Sequence, residues 1–136
     1  MKSIQFHSKI LPEIESIEEE NEKTQLYIDN IYDKFSSEAN INHHGYAQEK
    51  LMNFRYVPLK YVIPNGSYIR LIDLRTPYNA VLFSGGFVTR DNGYSVVVRA
   101  ARDERVFTFN RQKYAVFLQM TVDDQMKIQL RNMHDK

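Results

Sequence analysis

The 136-residue chain has no cysteine, which excludes a disulfide framework, a thiol nucleophile and a cysteine-ligated zinc. It has no apolar run near the roughly 20 residues a helix needs to cross a bilayer. The N-terminal stretch MKSIQFHSKILPEIESIEEE lacks the continuous apolar segment of a secretory signal. A cytoplasmic location is therefore expected, with no membrane partner. Between His44 and His134 there is no histidine, so the C-terminal two-thirds lacks the usual general base. No Ser–His–Asp order suggests a triad. The acidic candidates Asp73, Asp91, Asp103, Glu104, Asp123 and Asp124 mostly fall in turn-like stretches, where aspartate bonds locally to the backbone. These absences predict a non-enzymatic protein with no catalytic residues, no cofactor and no metal.

What the chain does have is a division of charge. Residues 1–40 hold four basic and nine acidic side chains, a balance of −5, and residues 41–136 hold fourteen and eight, a balance of +6. Such a split marks two units with different surroundings. The expected architecture is α+β and mostly β, with an acidic helical arm over 1–40, a connector over 41–53 and an antiparallel β-domain over 54–136.

The arm is read from spacing. Ile10, Ile14, Ile17, Ile28, Ile31 and Phe35 follow an alternating 4–3 interval, with Asn21 and Thr24 filling the two vacant seam positions. A period of 3.5 gives a heptad stripe. Pro12 suits a first helical turn, and Ser36, Ser37 and Asn40 offer stops. The stripe covers the protein's own β-domain or docks on another chain. Asn21 favours the second reading, because a polar residue at such a position fixes register and partner number. The seam (Ile10, Ile14, Ile17, Asn21, Ile28, Ile31, Phe35) is thus the candidate partner surface, and a homo-oligomer or larger assembly is expected.

In the connector INHHGYAQEKLMN, a helical turn is expected over Tyr46 to Met52, and His43-His44 reads as a loop pair, since adjacent histidines point in different directions. From Phe54 the period shortens to two. FRYVPLKYVI, SYIRLIDL, AVLFSGGFVT, YSVVVRAA, VFTFN, YAVFLQMTV and QMKIQLRNM read as strands separated by turn signals. Six or seven strands at this spacing predict a small barrel or sandwich. The last segment alternates, placing Met126, Ile128 and Leu130 inward. All strand candidates follow residue 53, so the β-domain is expected to fold without the arm.

The stretch AVLFSGGFVTRDNGYSVVVRA has the glycines and arginine of a phosphate cradle. Such a loop needs a helix after it, so that backbone N–H groups converge on the anion. Here a strand follows. Gly85-Gly86 is expected to form a bulge or corner, and Asn92-Gly93 a hairpin turn with positive φ at both residues. More informative are seven arginines, Arg70, Arg75, Arg90, Arg99, Arg102, Arg105 and Arg111, in a stretch without lysine. They form turn and interface ion pairs, or they contact phosphates and other anions with Tyr68, Tyr78, Tyr94 and Tyr114 available for base stacking. A pI of about 7.9 and the acidic arm weigh against a dedicated nucleic-acid module.

The pattern GSYIRLID…LFSGGFVTRDNGYSVVV, carried by Gly66, Tyr68, Ile69, Arg70, Gly85, Gly86, Phe87 and Tyr94, resembles small β-rich structural proteins of large double-stranded DNA viruses and phages. It departs from that pattern after Tyr94, at Val96 to Arg99. The resemblance implies a virion or virion-associated protein with a small barrel, and no catalytic residues. The expected function is therefore structural, joining partners through the arm and the Arg/Tyr-rich β-domain. Nucleic-acid binding through the same arginines is the alternative.

Overall fold

A computed structural model describes residues 9–34, 38–75 and 80–134. Its elements are α1 (Ile17–Asp33), α2 (Glu38–Lys50), β1 (Phe54–Tyr56), β2 (Tyr68–Asp73), β3 (Leu82–Asp91), β4 (Ser95–Arg99), β5 (Val106–Asn110), β6 (Tyr114–Gln119) and α3 (Val122–His134). A 3-10 turn at Arg111–Lys113 joins β5 to β6. The strands form one antiparallel sheet in the order β1-β6-β2-β3-β4-β5. The α+β, mostly β class is as expected, but the sheet is open, so the barrel is not formed. β6 inserts between β1 and β2, leaving β1 and β5 as opposite edges.

The segment expected to be a seventh strand is a helix. Thr121 Oγ1 accepts from the Asp124 N–H at 3.3 Å, while an Asp124 carboxylate oxygen accepts from the Thr121 N–H at 2.7 Å. This reciprocal cap starts α3. Of the three side chains expected inward, Met126 and Leu130 are exposed and Ile128 is half-buried; Met133 joins Met126 and Leu130 on one exposed face at intervals of four and three. A five-residue alternation satisfies a short strand and a helix equally; the cap decides between them.

The arm also differs from expectation. Pro12 is not helical. Helix α1 starts later, where Ser16 accepts from the Glu19 N–H and acidic residues fill the first turn. The connector is mostly α2. Asn40 does not stop a helix: it lies buried within α2, and its side-chain oxygen accepts from the Ala80 N–H at 3.0 Å. Phe35, Ser36, Ser37 and Tyr78 lie outside the described residues.

Each sheet face carries its own core. On one, Ile28, Ile31 and Tyr32 of α1 and Ala47 and Leu51 near α2 pack on Phe54, Ile72, Ala115 and Phe117. The arm's stripe is therefore buried against its own sheet, the first of the two readings. On the other face, Ile69, Leu71, Val88, Val96, Val98, Phe109 and Val116 pack under Val57 and Ile63. This second layer has little regular structure, because β1 ends before Pro58 and residues 57–63 cross as a strap. Arg111 holds the strap, donating to the carbonyls of Val57, Pro58 and Tyr61 at 2.6–3.2 Å. Asp91 faces Arg111 at 3.3 Å and accepts from the Ile63 N–H at 3.0 Å.

The Gly85-Gly86 pair sits at a register shift between β2 and β3, as the bulge reading requires. A Cβ on Gly86 (φ 135°) would lie 2.3 Å from the Arg99 carbonyl oxygen, and one on Gly85 would lie 2.7 Å from that of Ile69. Both neighbouring backbones approach too closely for any side chain. In the turn between β3 and β4 Gly93 has positive φ, whereas Asn92 does not. The Gly93 N–H is held instead by Asp91, at 3.0 Å.

Candidate interaction surface

The seam residues do not form one free stripe. Ile28 and Ile31 are fully covered by the sheet, Ile14 is buried, Ile17 is half-buried and Ile10 stands out in solvent. Asn21 faces no second helix: it exchanges hydrogen bonds with Asn53. Little of the seam is left to meet a partner.

Most of the arginines are likewise committed within the chain. Arg75 makes a two-point pair with Asp73 at 2.9–3.0 Å and stacks over Tyr114. Those bonds hold the Asp73 carboxyl below its ordinary value. Arg99 pairs with Glu104 and Arg105 with Asp103, both on the surface. Arg111 is only 3% exposed; burial pushes its guanidinium down, and Asp91 pulls it back up. Arg70 donates to the Lys50 carbonyl at the end of α2, where a cation complements the helix dipole. Arg90 and Arg102 have no ion pair among the described residues. Of the candidate stacking tyrosines, Tyr68 and Tyr114 pack against Phe54, Phe87 and Phe109.

The sheet nevertheless presents a continuous surface. In register across β2, β3, β4 and β5 stand Tyr68, Phe87, Arg99 and Val106. The Tyr68 and Phe87 rings are 5.3 Å apart, Arg99 lies 5.9 Å from the Phe87 ring, and Arg70 sits 4.8 Å from the Phe54 ring. The row sets two packed rings beside guanidinium groups, and the Arg99–Phe87 and Arg70–Phe54 pairs lie within cation–π range. Helices α1 and α2 cover its β1–β6–β2 end. At the other end Phe87, Arg90, Arg99, Val106 and Thr108 are exposed, and Val97 is half-buried between them. Glu104, from the turn between β4 and β5, reaches this half-face to pair with Arg99 at 3.0 Å, while Arg90 has no ion pair among the described residues. Sequence reading singled out the arginines but missed Phe87, Val97, Val106 and Thr108. Their signal was the alternation in VFTFN, whose phenylalanines point to the core and whose Val106 and Thr108 must then point away.

Other features offer less. A groove of about 450 Å³ between residues 11–16, α1 and β1 is rimmed by glutamates and floored by Arg55, which Glu20 neutralises at 3.2 Å. His44 meets Asp29 at 2.7 Å and stacks on Tyr32, so it braces α1 against α2. No cluster of three or more potential metal ligands occurs among the described residues. No helix among them is long and apolar enough to cross a membrane. Comparison with known proteins gives no match to this chain among protein families, curated sequences or solved structures.

Proposed function

We propose that this protein is a non-enzymatic structural or assembly protein, and that it contacts its partner through the uncovered half of the sheet rather than through the arm. One observation carries this reading: Phe87, Val97, Arg99, Val106 and Thr108 form a mixed apolar and cationic surface while the rest of that face lies under helices. Contiguous exposed apolar surface marks an interaction site, and aromatics with arginine are the residue types enriched where binding energy concentrates. A virion is the setting implied by the resemblance of the β-rich pattern. The test is cross-linking mass spectrometry on nuclease-treated protein, alone and in extracts of the producing cells. Intermolecular links concentrated on β3–β5 support the reading; links confined to α1 and α3 overturn it.

Nucleic-acid binding is the second reading, favoured by the stacked Arg99–Phe87 and Arg70–Phe54 pairs, since guanidinium and aromatic planes accept both phosphates and bases. Fluorescence anisotropy with labelled single- and double-stranded DNA across a salt series tests it. Sub-micromolar binding that falls steeply with salt and weakens in Arg99→Ala makes this the function. Weak binding near physiological salt leaves the assembly reading in place.

A further inference from the structure

The two sheet edges are treated differently. At β1 the outer backbone is occupied: the Tyr56 N–H donates to Thr24 Oγ1 of α1 at 3.2 Å, and α1 packs along the strand. At β5 no described residue outside the strand bonds to the outward backbone of Val106 or Thr108, and at Asn110 only the C=O is engaged, as the N-cap of the following 3-10 turn.

Which groups face out from β5 follows from its ladder. The Ala100 N–H donates to the Arg105 carbonyl and the Arg111 N–H to the Tyr94 carbonyl, each at 2.8 Å. In an antiparallel ladder hydrogen-bonded pairs alternate with non-bonded ones. Phe107 and Phe109 therefore bond to β4, opposite Val98 and Val96. Val106, Thr108 and Asn110 turn their N–H and C=O groups outward. The five-residue strand VFTFN has no charge and no proline, the devices by which exposed edges are usually blunted.

We infer that β5 pairs antiparallel with β5 of a second copy of this chain, about a twofold axis through Thr108, joining two sheets into one. This rests on the assembly reading and names its partner. The strand complements itself at every position. Thr108 faces Thr108 of the other copy, and Val106 faces Asn110, so all three outward N–H groups of each copy meet a carbonyl. On the core face Phe107 meets Phe109, covering a Phe107 that is only half-buried in one copy. No like charges meet within the strand, and the flanking Arg105 and Arg111 are already paired with Asp103 and Asp91. The twofold operator makes the contact isologous, so one patch serves both copies.

Light scattering over a concentration series, with hydrogen exchange at the Val106, Thr108 and Asn110 amides, tests the pairing on the full chain. The expected result is a dimer in which these amides gain protection as protein concentration rises. Thr108→Lys sets two cations face to face and should weaken the dimer at least about tenfold. Thr108→Pro removes an N–H that bonds nothing within one copy and should act likewise. Circular dichroism should show both variants folded. A monomer with rapidly exchanging β5 amides overturns the inference, and cross-links from β3–β5 to a different protein would then leave the assembly reading intact. A dimer insensitive to both substitutions also overturns it, as does concentration-independent protection, which would mean that the chain's own residues cover the edge.

Discussion

Asn21 and Asn53 hold each other across 32 residues of chain: the Asn53 N–H donates to Asn21 Oδ1 at 2.8 Å, and Asn21 Nδ2 donates to Asn53 Oδ1 at 3.1 Å. Asn53 is left-handed, with φ 67°, a conformation that Asn tolerates better than most residues. The pair fixes where the chain leaves α2 and enters β1. Asn21→Ile removes both bonds, so it should destabilise the protein by about 1 kcal/mol without changing its molar mass. Urea denaturation with light scattering measures both. A stabilised variant of larger mass would instead make Asn21 a seam residue.

A chain beginning at residue 50 keeps all six strands but loses the helices over Phe54, Ile72, Ala115 and Phe117. It is expected to show no cooperative thermal transition by circular dichroism and to aggregate. This reverses the expectation drawn from strand positions alone.

Arg111→Met leaves the Asp91 carboxylate buried without its cation and frees three strap carbonyls. Breaking a buried pair from one side typically costs about 3–5 kcal/mol. Denaturant unfolding should show a loss in that range. Loss of less than about 1 kcal/mol, the size of an exposed pair, would mean that the strap holds without it.

The Asp73 carboxyl is held below its ordinary value of 3.8, first by hydrogen bonds from Arg75. A carboxyl depressed in the folded state stabilises the protein above its unfolded pKa, and that contribution is lost as pH falls through the folded value. Wild-type stability should therefore decline below about pH 4, and Asp73→Asn should be less stable at neutral pH with a shallower decline in that window. Unfolding midpoints across an acid pH series check this; parallel profiles would assign the decline to other carboxylates.

Gly86→Ala places a methyl group against the Arg99 carbonyl at positive φ. A cost of about 2–4 kcal/mol is expected from strain and overpacking combined. It should appear as a lower thermal midpoint together with faster hydrogen exchange across the β3–β4 hairpin.

Local physics explains what could be read from the chain itself. β4 and β5 alternate because one side faces a core, β2 and β6 read as apolar runs because both of their sides do, and Gly85-Gly86 announces a backbone crowding that only glycine permits. Helix α2 was legible only as a turn over Tyr46 to Met52, because INHHGYAQEK has no apolar stripe; Ala47 and the following Leu51 are its core anchors, and Asn40 and His44 hold it by polar bonds to Ala80 and Asp29. A heptad period in α1 says that a stripe is buried, and says nothing of what buries it. The arginines were visible, but their employment was not. Arg111 reaches carbonyls 50 to 54 residues away, a distance over which no local pattern carries information. The uncovered half-face had the same obstacle, since its side chains are assembled from three strands.

The Thr24–Tyr56 bond bears on how far an assembly of this chain can grow. Edge addition propagates into fibrils when a strand leaves both sides of a sheet available. Here a helix hydroxyl already occupies the β1 side, so joining at β5 uses up the one remaining template. Growth by this route terminates at two copies.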